Sequence, residues 1–318
     1  ESKRRKPLII EGARQVGKTW LMKEFGRLYY TDTVYINFDS NSRMAELFAS
    51  DLDTERLIMG LELYSGRKID PDHTLLIFDE VQEVPRALSS LKYFYENAPE
   101  YHIVCAGSLL GIALHEGTSF PVGKVDFLKL FPLSFKEFLM AAGKERYAEL
   151  LSKQDYPMIT SFKQTYIDAL KQYYFVGGMP EAVDAYIDGE NLFESREILK
   201  VLYDNYLSDM DLYQASRDAV LRSRALFSNI YKELNRETKN FSPGLIEEKR
   251  KTRDFATSIQ WLTMAHILNQ SFQLKEHVTM PLIPDNDSNF RLFLGDIGMF
   301  SYQSGINAAS FISSEREN

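Results

Sequence analysis

The chain has 318 residues, 44% hydrophobic, 26% charged and 13% aromatic, which is a globular balance with length for two or three domains and too many aromatics for disorder over most of it. Its net charge of −8 excludes a chain-wide grip on nucleic acid, though not a local basic patch. The single cysteine, Cys105, excludes an intrachain disulfide and a cysteine-based zinc site, and the scattered His73, His102, His115, His266 and His277 have no metal-ligand spacing.

Taken in order, the first half alternates strands and helices. Basic residues at the start lead directly into a short apolar strand, Pro7 to Glu11, which does not read as a signal peptide; the absence of an initiator Met reads as a true N-terminus either trimmed or unobserved. A glycine-bounded loop, Gly12 to Gly17, precedes a helix over Lys18 to Leu28. Thr33 to Asp39 is β-branched and aromatic, hence a strand. Ser42 to Ala49 and Thr54 to Tyr64 read as helices. Thr74 to Asp79 is wholly apolar up to its last residue, as expected of a parallel strand covered on both faces. Pro85 opens a helix to Asn97, and His102 to Ala106 and Val125 to Phe131 complete five strands. The alternation implies an α/β three-layer sandwich on a parallel sheet.

After Pro132 the strands stop. Ser134 to Ala142 is a helix with a capping box made by Ser134 and Glu137. Helices run on to Leu234, with breaks at Tyr156-Pro157 and Gly177-Gly178, the latter a hinge or turn or simply a packing feature. A second boundary falls between Tyr213 and Arg224, and beyond it come three helical stretches, Ala219 to Leu234, Pro243 to Lys251 and Asp254 to Leu268. An extended segment, Asn269 to Thr279, and a Pro-flanked loop, Met280 to Asn289, then complete a winged-helix outline. The expected division is 1–132 for the core, 133–215 for a helical lid, 216–289 for the winged-helix-like part and 290–318 for the start of a further domain. No apolar run approaches the roughly 20 residues of a membrane span, so the chain reads as cytoplasmic with no membrane partner.

Gly12-Ala13-Arg14-Gln15-Val16-Gly17-Lys18-Thr19 matches G-x-x-x-x-G-K-[ST] between a strand and a helix, the setting a P-loop needs. The glycines permit backbone angles that aim several N–H groups at one point, and the helix that follows adds its positive end. Lys18 has the reach for β- and γ-phosphates, and the Thr19 hydroxyl can ligate magnesium. The cofactors implied are ATP and Mg2+, with no visible motif selecting ATP over GTP.

The apolar strand ending Phe78-Asp79-Glu80 places two acids where open α/β sheets bind ligands. Asp79 suits the metal, held through water, and Glu80 suits a general base. In such a sheet the next strand lies between the P-loop strand and the acidic one. Ser108 follows it, either as a sensor of the γ-phosphate or as a plain helix N-cap. Gln82 reads as a solvated helix residue rather than a group that orients water. Cys105 reads as a buried small hydrophobe.

GARQVGKT, FDEVQ, CAGSLLG, FPLSFKEFL and YYFVGGMPEAV, in this order, resemble a family of predicted AAA+ superfamily ATPases of bacteria and archaea. The resemblance covers about Arg5 to Asn318. It implies an AAA+ core, a helical lid, a winged-helix-like segment and a C-terminal nuclease-like part of unknown function. FRLFLGDIG, from Phe290, resembles the segment leading into that part, and no nuclease residues are assigned. Where relatives often carry Gly-Arg before the fifth strand, this chain has Gly123-Lys124, and a lysine is not a bidentate fork. Arg86, Arg196 and Arg217 are alternatives for a trans-acting arginine, against the plainer reading of surface arginines.

One basic stretch remains. Lys232, Arg236, Lys239, Lys249, Arg250, Lys251 and Arg253 stand against Glu233, Glu237, Glu247 and Glu248, and read either as a phosphate grip on double-stranded DNA or as a helix face of internal ion pairs. The overall expectation is an ATPase whose nucleotide state moves the lid and winged helix, as monomer or homo-oligomer. The alternative is an ATP-dependent switch with negligible turnover.

Overall fold

The computed structural model describes residues 5–107, 123–189, 191–214, 216–234, 240–274 and 289–306. The chain divides into two compact units, Glu1–Leu130 and Phe131–Asn318. The first contains β1 (Leu8–Glu11), α1 (Lys18–Tyr29), β2 (Asp32–Asn37), α2 (Ser42–Ala49), α3 (Thr54–Ser65), β3 (Thr74–Asp79), α4 (Pro85–Asn97), β4 (His102–Ala106) and β5 (Asp126–Lys129). The five strands form one parallel sheet in the order β2-β3-β4-β1-β5. β4 thus lies between the P-loop strand and the acidic strand, as expected. β5 is shorter than Val125 to Phe131 because it pairs with β1, whose four residues Leu8–Glu11 match Asp126–Lys129 one to one.

Strand periodicity builds the layers. Val34, Ile36, Leu76, Phe78, Ile103 and Cys105 point to one face and meet Phe48 of α2, Leu57 and Leu61 of α3, and Leu91 and Phe94 of α4. Ile10, Leu75, Ile77, Val104 and Ala106 point to the other and meet Met22 of α1. β3 is buried along its whole length, which is why its sequence is continuously apolar rather than alternating. Asn41 and Asp53 cap α2 and α3 by accepting from Met44 N and Arg56 N, and Pro85 opens α4.

The second unit contains α5 (Phe135–Ala141), α6 (Glu145–Lys153), α7 (Tyr156–Ser161), α8 (Lys163–Val176), α9 (Pro180–Ile187), α10 (Leu192–Tyr213), α11 (Arg217–Leu234), α12 (Ala256–Met264), an antiparallel pair of β6 (Leu268–Phe272) and β7 (Phe290–Leu294), and α13 (Ile297–Gln303). The Ser134–Glu137 capping box forms. Pro243 to Lys251 is not a helix: a single 3-10 turn spans Pro243–Leu245, and Lys249 takes a positive φ of 63°, which ends any helical run there. The helix expected from Asp254 covers Ala256–Met264, after a 3-10 turn at Thr252–Phe255. Most of the 280–289 loop lies outside the described residues.

Gly177 and Gly178 are a packing device. A Cβ on Gly178 would lie 2.1 Å from Leu133 O, and one on Gly177 would lie 2.5 Å from Asp296 Oδ1 and 2.8 Å from Gly298 Cα. Asp296 is buried, caps α13 by accepting from Met299 N at 2.8 Å, and also accepts from Gly178 N at 2.7 Å. Residues 290–303 therefore pack against the end of α8, with Ser301 Oγ donating to Phe175 O. No helix among the described residues is long and apolar enough to cross a membrane.

Candidate active site

β1 delivers the chain at Glu11 to a loop over Gly12–Gly17 and then to α1. Gly12 is required by close approach: a Cβ there would lie 2.4 Å from Leu130 O. Gln15 and Gly17 take positive φ values of 61° and 95°, turning the backbone amides inward. α1 opens on Gly17 with no side-chain cap and no acid in its first turn, so its first N–H groups stay free for an anion. Ala13 and Val16 are buried and anchor the loop from beneath; Arg14 adds positive charge beside Lys18.

Lys18 is only 7% exposed. Its Nζ donates to Gly12 O at 2.8 Å and Ala13 O at 2.7 Å, folding the ammonium over its own loop. Burial pushes its pKa down to about 8, although the Glu80 and Asp79 carboxylates pull the other way. Holding that charge at neutral pH costs on the order of 3 kcal/mol, an investment that phosphate oxygens would offset.

Thr19 and Asp79, 60 positions apart, meet directly: Thr19 Oγ1 donates to Asp79 Oδ2 at 2.7 Å. This pair, a hydroxyl and a carboxylate beside a phosphate-shaped loop, is the hard-oxygen donor set that suits magnesium with phosphates completing its shell. No group of three or more His, Cys, Asp or Glu side chains that could hold a metal ion occurs among the described residues. Glu80 follows with left-handed backbone angles, φ 49° and ψ 42°, which turn it out of the strand line at the end of β3.

Two contacts at the site were not read from the sequence. Gln82 is not a solvated helix residue: its Nε2 donates to Glu80 Oε2 at 2.7 Å, while its Oε1 is buried with no partner. Tyr35 of β2 donates its hydroxyl to Asp79 Oδ2 at 2.9 Å. Ser108 lies outside the described residues. Lys124 is held by Glu96 at 3.0 Å and lies over the Tyr95 ring. Arg86 donates to the Phe48 and Ser50 carbonyls. Arg196 is not a surface arginine; it stacks 3.8 Å from the Phe175 ring centre and donates to Ile306 O. Arg217 is exposed. In the basic stretch, Arg250 pairs with Glu247 at 2.8 Å and Lys232 donates to Asn229; Arg236 and Lys239 lie outside the described residues.

A strand–loop–helix phosphate cradle, a lysine over it, and an acidic strand end two strands away across a parallel sheet define the P-loop NTPase fold. Residues 4–139 match the family described as AAA domain, so this part of the chain is similar to that family. Residues 167–310 match the family described as Domain of unknown function (DUF8612). The Walker-type ATPase PABY2304 of Pyrococcus abyssi is similar in structure, with a TM-score of 0.56 at 14% identity over 94% of this chain and 91% of that one. That likeness speaks for the fold alone. Cdc6p from Pyrobaculum aerophilum aligns over 98% of this chain and 89% of its own at 12% identity with a TM-score of 0.29, too low to carry an argument. No curated protein matches the chain.

Proposed function

We propose that the chain is a magnesium-dependent ATPase whose turnover is carried out by the first unit and passed on to the helical second unit. The observation that carries this reading is the direct Thr19–Asp79 hydrogen bond, 2.7 Å, beside an uncapped helix start and with Glu80 next in the chain. Backbone N–H groups from Gly12 to Thr19 hold the phosphates. Lys18 turns from its own loop carbonyls to the β- and γ-oxygens. Thr19 and Asp79 would hold magnesium, which when bound would supply positive charge against the phosphates. Glu80 accepts the proton of the attacking water, and Gln82 keeps the Glu80 carboxylate in place.

DNA forms no part of this proposal, since Arg250 and Lys232 are engaged locally and acids interrupt the stretch. A switch with negligible turnover would use the same binding groups and differ only in rate.

Lys18→Met tests the reading. The variant is expected to lose about 10² in affinity for MgATP, the scale of a charge-assisted contact to phosphate. Its melting temperature without nucleotide is expected to equal or exceed wild type, because a buried ammonium has been replaced by an apolar chain of similar length. Fluorescent-nucleotide titration and thermal melts measure both. Unchanged affinity in a folded variant would remove Lys18 from the site. ATP binding by wild type without phosphate release above the Glu80→Gln background would leave the switch.

A further inference from the structure

Asp79 Oδ2 receives two hydroxyl donors, Thr19 from α1 and Tyr35 from β2. They differ in what else they can do. Thr19 belongs to the phosphate loop's helix and its oxygen is the one suited to ligate the cation. Tyr35 sits on the neighbouring strand, where Asn37 is paired with Asp79 and Tyr35 with Ile77, so its hydroxyl reaches diagonally along the sheet to the carboxylate. The ring is fixed from its face by Lys23, whose Nζ lies 3.8 Å from the ring centre. Lys23 is one helical turn beyond Thr19, on the same side of α1. The other carboxylate oxygen, Oδ1, accepts from Glu80 N at 3.1 Å.

We infer that Tyr35 is a positioning residue for the metal site: it holds Asp79 in the orientation that serves magnesium when the Thr19 oxygen is committed to the cation. The inference rests on the proposed MgATP reading. A carboxylate at a strand end has free χ rotation unless something fixes it, and a donor that is itself gripped from the ring face loses little entropy in doing so. The phenol suits the task because its hydroxyl donates to Asp79 Oδ2 at 2.9 Å from a ring held at its face by Lys23. Tyr35 does not touch the reacting atoms, so its substitution should act through the metal.

Tyr35→Phe keeps the ring and the Lys23 contact and removes only the donor. The test is the magnesium dependence of nucleotide binding, followed with a fluorescent ADP or ATP analogue in wild type and variant, with EDTA as the metal-free arm and thermal melting as the fold check. The half-saturating magnesium concentration is expected to rise about tenfold in Tyr35→Phe, the scale of one hydrogen bond to a charged acceptor. Affinity in EDTA is expected to stay within twofold of wild type. Equal magnesium dependence in a folded variant overturns the inference and leaves the ATPase reading standing. Equal loss of affinity with and without magnesium also overturns it, because the effect is then on the fold of the loop. A wild type whose nucleotide binding ignores magnesium overturns the reading and the inference together.

Discussion

Glu80→Gln is expected to slow phosphate release by about 10² to 10⁴, the range for loss of a general base, while MgATP affinity stays within about threefold of wild type. The two halves of this expectation have separate causes. Phosphate affinity is set by the loop amides, Lys18 and the Thr19–Asp79 pair, and the bond Glu80 gives Asp79 comes from its backbone N–H, which the substitution keeps. The substitution also keeps the side chain's size and its capacity to accept from Gln82 Nε2. What it loses is proton affinity: an amide cannot take the proton of an attacking water. A parallel variant, Gln82→Ala, leaves the Glu80 acid intact and removes its tether, so its turnover should lie between those of wild type and Glu80→Gln. Single-turnover phosphate release alongside equilibrium nucleotide titration measures both. Rates for Glu80→Gln within threefold of wild type would assign the base elsewhere; a matching fall in affinity would make Glu80 part of the binding site.

The phosphate loop and the acidic strand end were legible because each is local: a strand–glycine–helix sequence, and an apolar run closing on Asp79-Glu80, need no knowledge of distant residues. The order of the sheet followed from the same class of motif. Tyr35 was invisible for a physical reason. On a β-strand, an aromatic at an alternating position reads as packing surface, and nothing in the sequence tells that its hydroxyl end crosses one strand to Asp79. Gln82 reads as solvated because nothing local in the sequence gives its amide a partner. The left-handed turn at Glu80 and the short 3-10 turn at Val81–Glu83 fold it back onto Glu80 instead. Pro243 to Lys251 was read as helix from composition, yet the positive φ at Lys249 is a property of backbone path that composition does not carry. The Asp296 junction escaped for distance: Gly178 and Asp296 are 118 residues apart, and a Gly-Gly pair looks like a hinge until the partner that fills the space above it is known.

That junction gives the largest stability effect expected in the chain. Asp296→Ala should destabilise the second unit by about 2 to 4 kcal/mol, since the buried Gly178 N–H left without an acceptor costs about 1 to 3 kcal/mol and loss of the α13 N-cap, whose donor is Met299 N, adds about 1. An opposing effect must be weighed. Burial pushes the Asp296 carboxyl up from its ordinary pKa, even though the Gly178, Met299 and Gly298 amides pull it down, so removing the acid relieves some desolvation. The relief is the smaller term, because the amides stay buried after the acid has gone. Gly177 and Gly298 are in backbone contact, so close that a Cβ on Gly298 would lie 2.7 Å from Gly177 Cα and 2.5 Å from Val176 O. Neither segment can step aside to expose its N–H groups without separating α8 from α13. Gly178→Ala should do comparable damage from the opposite side, because its new methyl would meet Leu133 O at 2.1 Å and backbone cannot rotate away as a side chain can. Asp296→Asn, which keeps one carbonyl acceptor, should fall between wild type and Asp296→Ala. Urea unfolding followed by circular dichroism and by tyrosine and tryptophan emission ranks the three. An Asp296→Ala midpoint indistinguishable from wild type would mean that the two segments hold together through the Gly177–Gly298 contact and Ser301 Oγ on Phe175 O alone, with the carboxylate a passenger in a junction made by shape.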